Sequence, residues 1–243
     1  LLYIIAKVPV LHIKRNDLRV GGTIYSNQLR IGIPMALQYS ITAIGTMMVQ
    51  SSLNILGSTL VAAYTAAGKI EQVVTQAYVA MGTTMATCGA QNMGAGSVKR
   101  IREGFRACTI IGAVYSVAAA AFIMTVGKYM TYLFVSEDVN VIMSSVEVYL
   151  KCIGVFFIPL AIVNIYRNGI QGLGYGFLPM MAGVAELIGR GVVAVIAGEM
   201  RSYTGVCLAG PAAWSLAAAL LIVMYFFIMN VHMKKMFGTN GKD

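Results

Sequence analysis

Two pairs of ionisable residues sit inside otherwise apolar runs: Lys69 with Glu71, and Glu186 with Arg190. Rows of amide and hydroxyl side chains at helical spacing surround them. Gln38, Thr42, Thr46, Gln50 and Asn54 are each four residues from the last, which on a helix makes one ridge that drifts about 40° per step. Lys69, Gln72, Gln76, Thr83, Thr87 and Gln91 fall within a sector of roughly 100° on a second helix, with Glu71, Thr75 and Tyr78 nearly opposite. Asn164, Asn168 and Gln171 share a face at i, i+4 and i+7. Glu186 and Arg190 stand at i, i+4 with the acid first, the better orientation for an ion pair. Lys69 and Glu71, two apart, cannot pair along one face, so one is expected to look into a cavity and the other into the bundle.

None of this is enzyme chemistry. No nucleophile lies beside a base, and His12 and His232 are isolated at the flanks. Cys88, Cys108, Cys152 and Cys207 are scattered without a Cys-x-x-Cys spacing, and such thiols behave as small hydrophobes. No metal site and no cofactor is expected.

The elements that position these residues follow from composition. Of 243 residues, 58% are hydrophobic and 11% charged, with a mean hydropathy of +0.75. A soluble domain carries about 25% charge, so a soluble enzyme, a disordered chain and a disulfide scaffold are excluded. A bilayer core needs about 20 apolar residues per helix. Six such stretches appear, near 31–57, 60–93, 105–134, 146–170, 177–198 and 206–231. Short turn-rich links join them, and no segment alternates as a barrel strand would. The expected fold is an all-α membrane protein, a bundle of six transmembrane helices.

Pro34, Pro179 and Pro211 fall near span starts, where a missing N–H costs little. Pro159 falls inside the fourth span and is expected to kink it. Gly112, Ser116 and Ala120, and Ala213 with Ala217, are expected at close helix–helix contacts. Tyr129, Tyr132, Tyr149 and Tyr203 fit an aromatic belt at the outer surface.

The net charge of +9 reads mainly as orientation. Lys7, Lys14, Arg15, Arg19, Arg30, Lys99, Arg100, Arg102, Arg106, Lys234, Lys235 and Lys242 fall on one side if the spans alternate, which puts both ends in the cytoplasm. A nucleic-acid partner is not expected. Residues 1–30 read as the end of a preceding span and a cytoplasmic linker, 31–233 as the six-helix unit and 234–243 as a cytoplasmic tail. Leu1–Val10 is apolar but too short to span, and suggests that the sequence is the later part of a longer polypeptide. Polar groups toward lipid are costly, so stripes on several helices suggest a translocation pathway. The bland alternative is interhelical hydrogen-bond glue.

At this point the residues resemble a known family. The run from Ala62 through Glu71 and Gln72 to Gln91-Asn92-Met93-Gly94-Ala95-Gly96, followed by Lys99 and Arg100, is similar to the eighth span and following loop of the multidrug and toxic compound extrusion (MATE) transporters. Ile31-Gly32-Ile33-Pro34 resembles the opening of their seventh span, Leu133-Phe134-Val135-Ser136-Glu137-Asp138 a later loop, and Gln171-Gly172-Leu173-Gly174 the end of their tenth. The resemblance implies two six-helix lobes around a central cavity, of which this chain is the C-terminal one, with an N-terminal lobe of the same polypeptide as partner. It implies a cytoplasmic-membrane antiporter that exports cationic or amphipathic organic compounds in exchange for Na⁺ or H⁺. The seventh and tenth spans of some members carry cation-binding carboxylates. Here those spans have none beyond Glu147, which leaves Glu71 and Glu186 inside the membrane. A lipid-linked oligosaccharide flippase of the same two-lobe plan, for which Lys69 and Arg190 would suit a phosphate, and an inactive membrane scaffold are the alternatives. The polar turn Gln91, Asn92, Gly94, Ala95 and Gly96 is expected to end a helix, with Gly94 and Gly96 free to take positive φ.

Overall fold

Helix α1 spans Gly22–Asn54 in the computed structural model, which describes residues 21–133 and 139–232. It is followed by α2 (Ser58–Gly94), α3 (Val98–Thr125), a short 3₁₀ segment (Gly127–Leu133), α4 (Val139–Gly154), α5 (Phe157–Gly172), α6 (Phe177–Glu199) and α7 (Tyr203–Phe227). No strand occurs among the described residues. Residues 1–20 of the predicted preceding span and linker, the loop 134–138 and the predicted tail lie outside the described residues.

Among the described residues four helices are long and apolar enough to cross a membrane: α1, α3, α6, and α7 continued to Val231. Helices α4 and α5 make a fifth span if the pair is taken together; they meet at 55°. The fourth predicted span is thus broken. Pro159 lacks the N–H that would bond the carbonyl of residue 155, and the break falls at Val155-Phe156. Helix α2 is long enough at 37 residues but falls outside the apolar set, because its polar row lowers its hydropathy. The six-helix lobe stands, with one member bent and one polar.

Two boundaries differ from the sequence reading. Residues 22–30, read as linker, are the first turns of α1, so Pro34 lies inside a helix rather than at its start. Pro211 is likewise inside α7. Both helices begin earlier because residues before the apolar run continue the helix without a breaker.

The helices form two groups. Helix α1 packs almost wholly on α6, and α6 on α7. Helix α2 packs on α5, with α3 and α4 alongside. Helix α7 joins the groups through α5 and α4, and α1 scarcely touches α2. The main core lies in the second group and along α7, around Tyr78, Phe105, Phe157 and Ile165. Small residues set the spacings, as van der Waals packing in lipid requires. A methyl group on Gly172 would lie 2.7 Å from the Cα of Ala86, and one on Gly112 would lie 2.9 Å from Ile165 Cδ1. Ser116, one turn after Gly112, is buried and donates to the Gly112 carbonyl (2.7 Å), and it accepts from the Tyr78 hydroxyl (3.0 Å). Ala213 and Ala217 are fully buried.

The turn after α2 closes as expected, with one correction. Ser97 N donates to the Asn92 carbonyl and Ala95 N to Gln91. Gly96 takes the left-handed conformation at φ 69°. Gly94 does not; it is still the last residue of the helix.

Candidate functional site

The polar rows divide by where they point. On α2, Lys69, Gln72, Gln76, Thr83, Thr87 and Gln91 are all exposed on the outside of the lobe, whereas Glu71 and Tyr78 turn inward. A two-residue offset on a helix rotates a side chain by about 200°, so Lys69 and Glu71 face opposite environments. Thr83, Thr87 and Gln91 also line an open groove along the C-terminal half of α2. On α1, the ridge is knit to itself. Thr42 donates to the Gln38 carbonyl (3.0 Å), Thr46 to the Thr42 carbonyl (3.1 Å), and Gln50 Nε2 to Asn54 Oδ1 (2.9 Å).

Asn164 and Asn168 are half-buried. Each donates its amide to the carbonyl four residues back, on Leu160 and Asn164 respectively. They lie where α5 presses on α2: a methyl on Gly82 would be 2.6 Å from Asn168 Nδ2. Their position is that of a helix-contact residue. Asn92 similarly bonds back to the Cys88 carbonyl (2.9 Å).

Two polar centres inside the lobe bring together the other sequence-derived candidates. The first joins α1, α5 and α6. Gln171 Nε2 donates to Oε1 of the buried Gln38 (3.0 Å). One turn earlier on α5, the Arg167 guanidinium forms an ion pair with Glu186 at 2.8 Å, with side-chain exposures of 16% and 4%. The expected pairing of Glu186 with Arg190 along one helix is therefore not the one that forms. An interhelical partner competes with the i, i+4 neighbour, and Arg167 holds Glu186.

The second centre is a cavity of about 160 Å³ bounded by five helices. Thr46 comes from α1, Tyr64 and Glu71 from α2, Tyr149 from α4, Arg190 from α6, and Cys207, Pro211 and Trp214 from α7. The volume has space for several waters at about 30 Å³ each. The Tyr149 hydroxyl donates to Glu71 Oε2 at 2.5 Å, and the Tyr64 ring stands edge-on to that of Tyr149 at 4.7 Å. Arg190 Nη1 donates to Thr46 Oγ1 at 3.3 Å. Among the described residues no carboxylate lies within ion-pair distance of Arg190. The cavity thus holds one carboxylate, one guanidinium and three hydroxyls.

Several residues of these centres lie outside the sequence-derived candidates, among them Arg167, Tyr64 and Tyr149. Tyr149, assigned to the aromatic belt, is buried at 5% exposure; the belt residues Tyr129 and Tyr132 are exposed as expected. Arg167 carried a readable signal. A cation in an apolar span with Val163, Asn164, Ile170 and Gln171 as its helical neighbours needs an acid from another helix. No cluster of His, Cys, Asp or Glu that could hold a metal occurs among the described residues.

The comparisons with known proteins agree with this architecture. The family model described as MatE matches residues 31–196, more than half of the chain. The probable multidrug resistance protein YpnP of Bacillus subtilis (strain 168) is 34% identical over 142 residues, which are 58% of this chain and 31% of that protein. An outward-facing multidrug resistance MATE family transporter of the MOP superfamily superposes with TM-score 0.85 at 20% identity, over 96% of this chain and 52% of that one. An inward-facing conformation gives TM-score 0.73 at 19% identity, over 93% and 54%. The chain spans under a third of the curated relative and about half of the solved transporters. A lobe of bilayer-length helices, matched by this family's model over its first five spans and by its transporters' fold nearly end to end, is a multi-pass membrane protein that belongs to the MATE family of transporters.

Proposed function

We propose that the chain is the C-terminal lobe of a secondary antiporter that exports cationic or amphipathic organic compounds across the cytoplasmic membrane in exchange for Na⁺ or H⁺. An N-terminal lobe of the same polypeptide completes the central cavity, and the exposed polar face of α2 lines it. The observation that carries the reading is the Glu71 cavity: an ionisable group in a small space at the meeting of five helices. Ionisable groups at that depth mark ion or substrate pathways. The basic residues Lys99, Arg100, Arg102 and Arg106 after α2 support an orientation with both ends of the chain in the cytoplasm.

The test is Glu71→Gln in the complete transporter, read by drug resistance and by ion-gradient-driven efflux from membrane vesicles. The expected result is loss of gradient-driven efflux with the protein still inserted. Unchanged efflux would remove Glu71 from coupling. Efflux by the isolated lobe would refute the two-lobe requirement.

A further inference from the structure

We propose that the cluster of sulfur atoms where α2 meets α3 is a binding site for a soft monovalent metal cation of the Cu⁺ and Ag⁺ class. The site is separate from the Glu71 cavity, and it stands or falls independently of the transport reading. The sulfurs converge on the place of a missing side chain. A methyl group on Gly104 of α3 would lie 3.1 Å from Cys88 Sγ and 3.5 Å from Met85 Sδ, both on α2. A thiol and a thioether thus border one point, left open because residue 104 has no side chain. Two turns further along α3, a methyl on Gly112 would lie 3.6 Å from Met81 Sδ. Cys108 stands one turn from each of these glycines, on the same side of α3. Its thiol is close enough to that of Cys88 to interact with it electrostatically. Met85 is fully buried, whereas Cys88 is half-buried and opens onto the groove along the C-terminal half of α2.

Thiolate and thioether are soft ligands, which favour Cu⁺ over hard divalent ions. The surroundings select in the same direction. The groove that leads to Cys88 is lined by Thr83, Thr84, Thr87 and Gln91, with no carboxylate or imidazole to hold a hard ion. Charge then decides the valence. A monovalent ion on one thiolate is neutral, which avoids the cost of a charge away from water. A divalent ion on the same ligands stays charged. Cys88 is the anionic ligand and Met85 the neutral one, with Cys108 the next sulfur in reach. The unbranched, rotatable side chain of Met85 can close on an ion to about the 2.3 Å of a metal–thiolate bond. Asn92, one turn after Cys88, donates from Nδ2 to the Cys88 sulfur at 3.5 Å, an outer contact of the kind that orients a ligating atom. On binding, two metal–sulfur bonds form and the Cys88 proton passes to solvent. The metal keeps its oxidation state, so no electron donor or acceptor is required.

The experiment offers the purified 243-residue chain Cu⁺ held by the coloured chelator bicinchoninate, without oxygen, and reads the loss of colour. The wild type is expected to withdraw one Cu⁺ per chain. Cys88→Ser and Met85→Leu are each expected to weaken binding by about tenfold or more, and Cys152→Ser and Cys207→Ser to leave it unchanged. Ag⁺ is expected to displace the Cu⁺, and an excess of Zn²⁺ to leave it bound. A chain that takes no Cu⁺ from the chelator would overturn the proposal. So would displacement by Zn²⁺, or binding that survives Cys88→Ser but not Cys207→Ser. If Cys88→Ser or Met85→Leu loses its fold, by circular dichroism, the wild type decides alone. Ag⁺ in a chloride-free buffer should then protect Cys88 from alkylation by a maleimide, read by mass spectrometry, while Cys152 reacts as before. Alkylation of Cys88 at an unchanged rate would sink the proposal.

Discussion

Neutralising Glu186 should destabilise the lobe, and the amount follows from the Arg167 pair. Glu186→Gln keeps the shape and a hydrogen-bonding end but leaves the Arg167 guanidinium buried opposite no charge. Breaking a buried pair in this way costs about 3–5 kcal/mol. Arg167 keeps some exposure at 16%, so the low end applies, about 3 kcal/mol. For a chain of this size about 1 kcal/mol moves the melting temperature by about 2–4 °C, which predicts a fall of about 6–12 °C. The assay is thermal unfolding of the purified chain in detergent, run on Glu186→Gln, Arg167→Met, the double variant Arg167→Met/Glu186→Leu, and Glu186→Gln combined with Arg190→Gln. The double variant should recover most of the loss, because an apolar pair of similar volume replaces a buried ion pair at little cost. Glu186→Gln and Arg190→Gln should add, since those two side chains are not partners. Additive losses for Arg167 and Glu186, or a fall below about 2 °C for Glu186→Gln, would refute the reasoning.

Two further outcomes test the packing. Gly172→Ala places a methyl on the Ala86 backbone and should cost at least about 1–3 kcal/mol by forcing α2 and α5 apart, read as a lower melting temperature and faster limited proteolysis. Ser116→Ala leaves the fully buried Tyr78 hydroxyl without its acceptor and should cost about 1–3 kcal/mol; adding Tyr78→Phe should restore part of it, and a larger loss in the double variant would contradict the assignment.

Periodicity made the rows on α1 and α2 legible, because an apolar helix advertises each polar exception at its angle. It also separated Lys69 from Glu71 correctly. What spacing along one helix cannot encode is which neighbour arrives from another. The Glu186–Arg190 spacing was favourable, yet Arg167 from α5 took the acid. Tyr149 was misplaced for a different reason: its helix begins at Val139 rather than near Val146, so a residue read as lying at the membrane surface is nearly three turns inside. Asn164 and Asn168 bond back along their own helix, a pairing that periodicity does not separate from an amide facing a pore. The start of α1 was missed because Gly22–Arg30 is polar enough to read as linker.

The dependence of α1 on α6 also governs how the lobe is made. Thr46 and Arg190 are 144 positions apart, and α1 has little contact with the helices synthesised between them. At about 5–20 residues per second of synthesis, α1 waits about 7–30 s for its packing partner. During that interval the Gln38–Gln50 row is in the bilayer without α6, so the first helix described here is among the last to acquire its native neighbours. Docking of α1 on α6 is therefore a late step of assembly, set by the length of chain made between them.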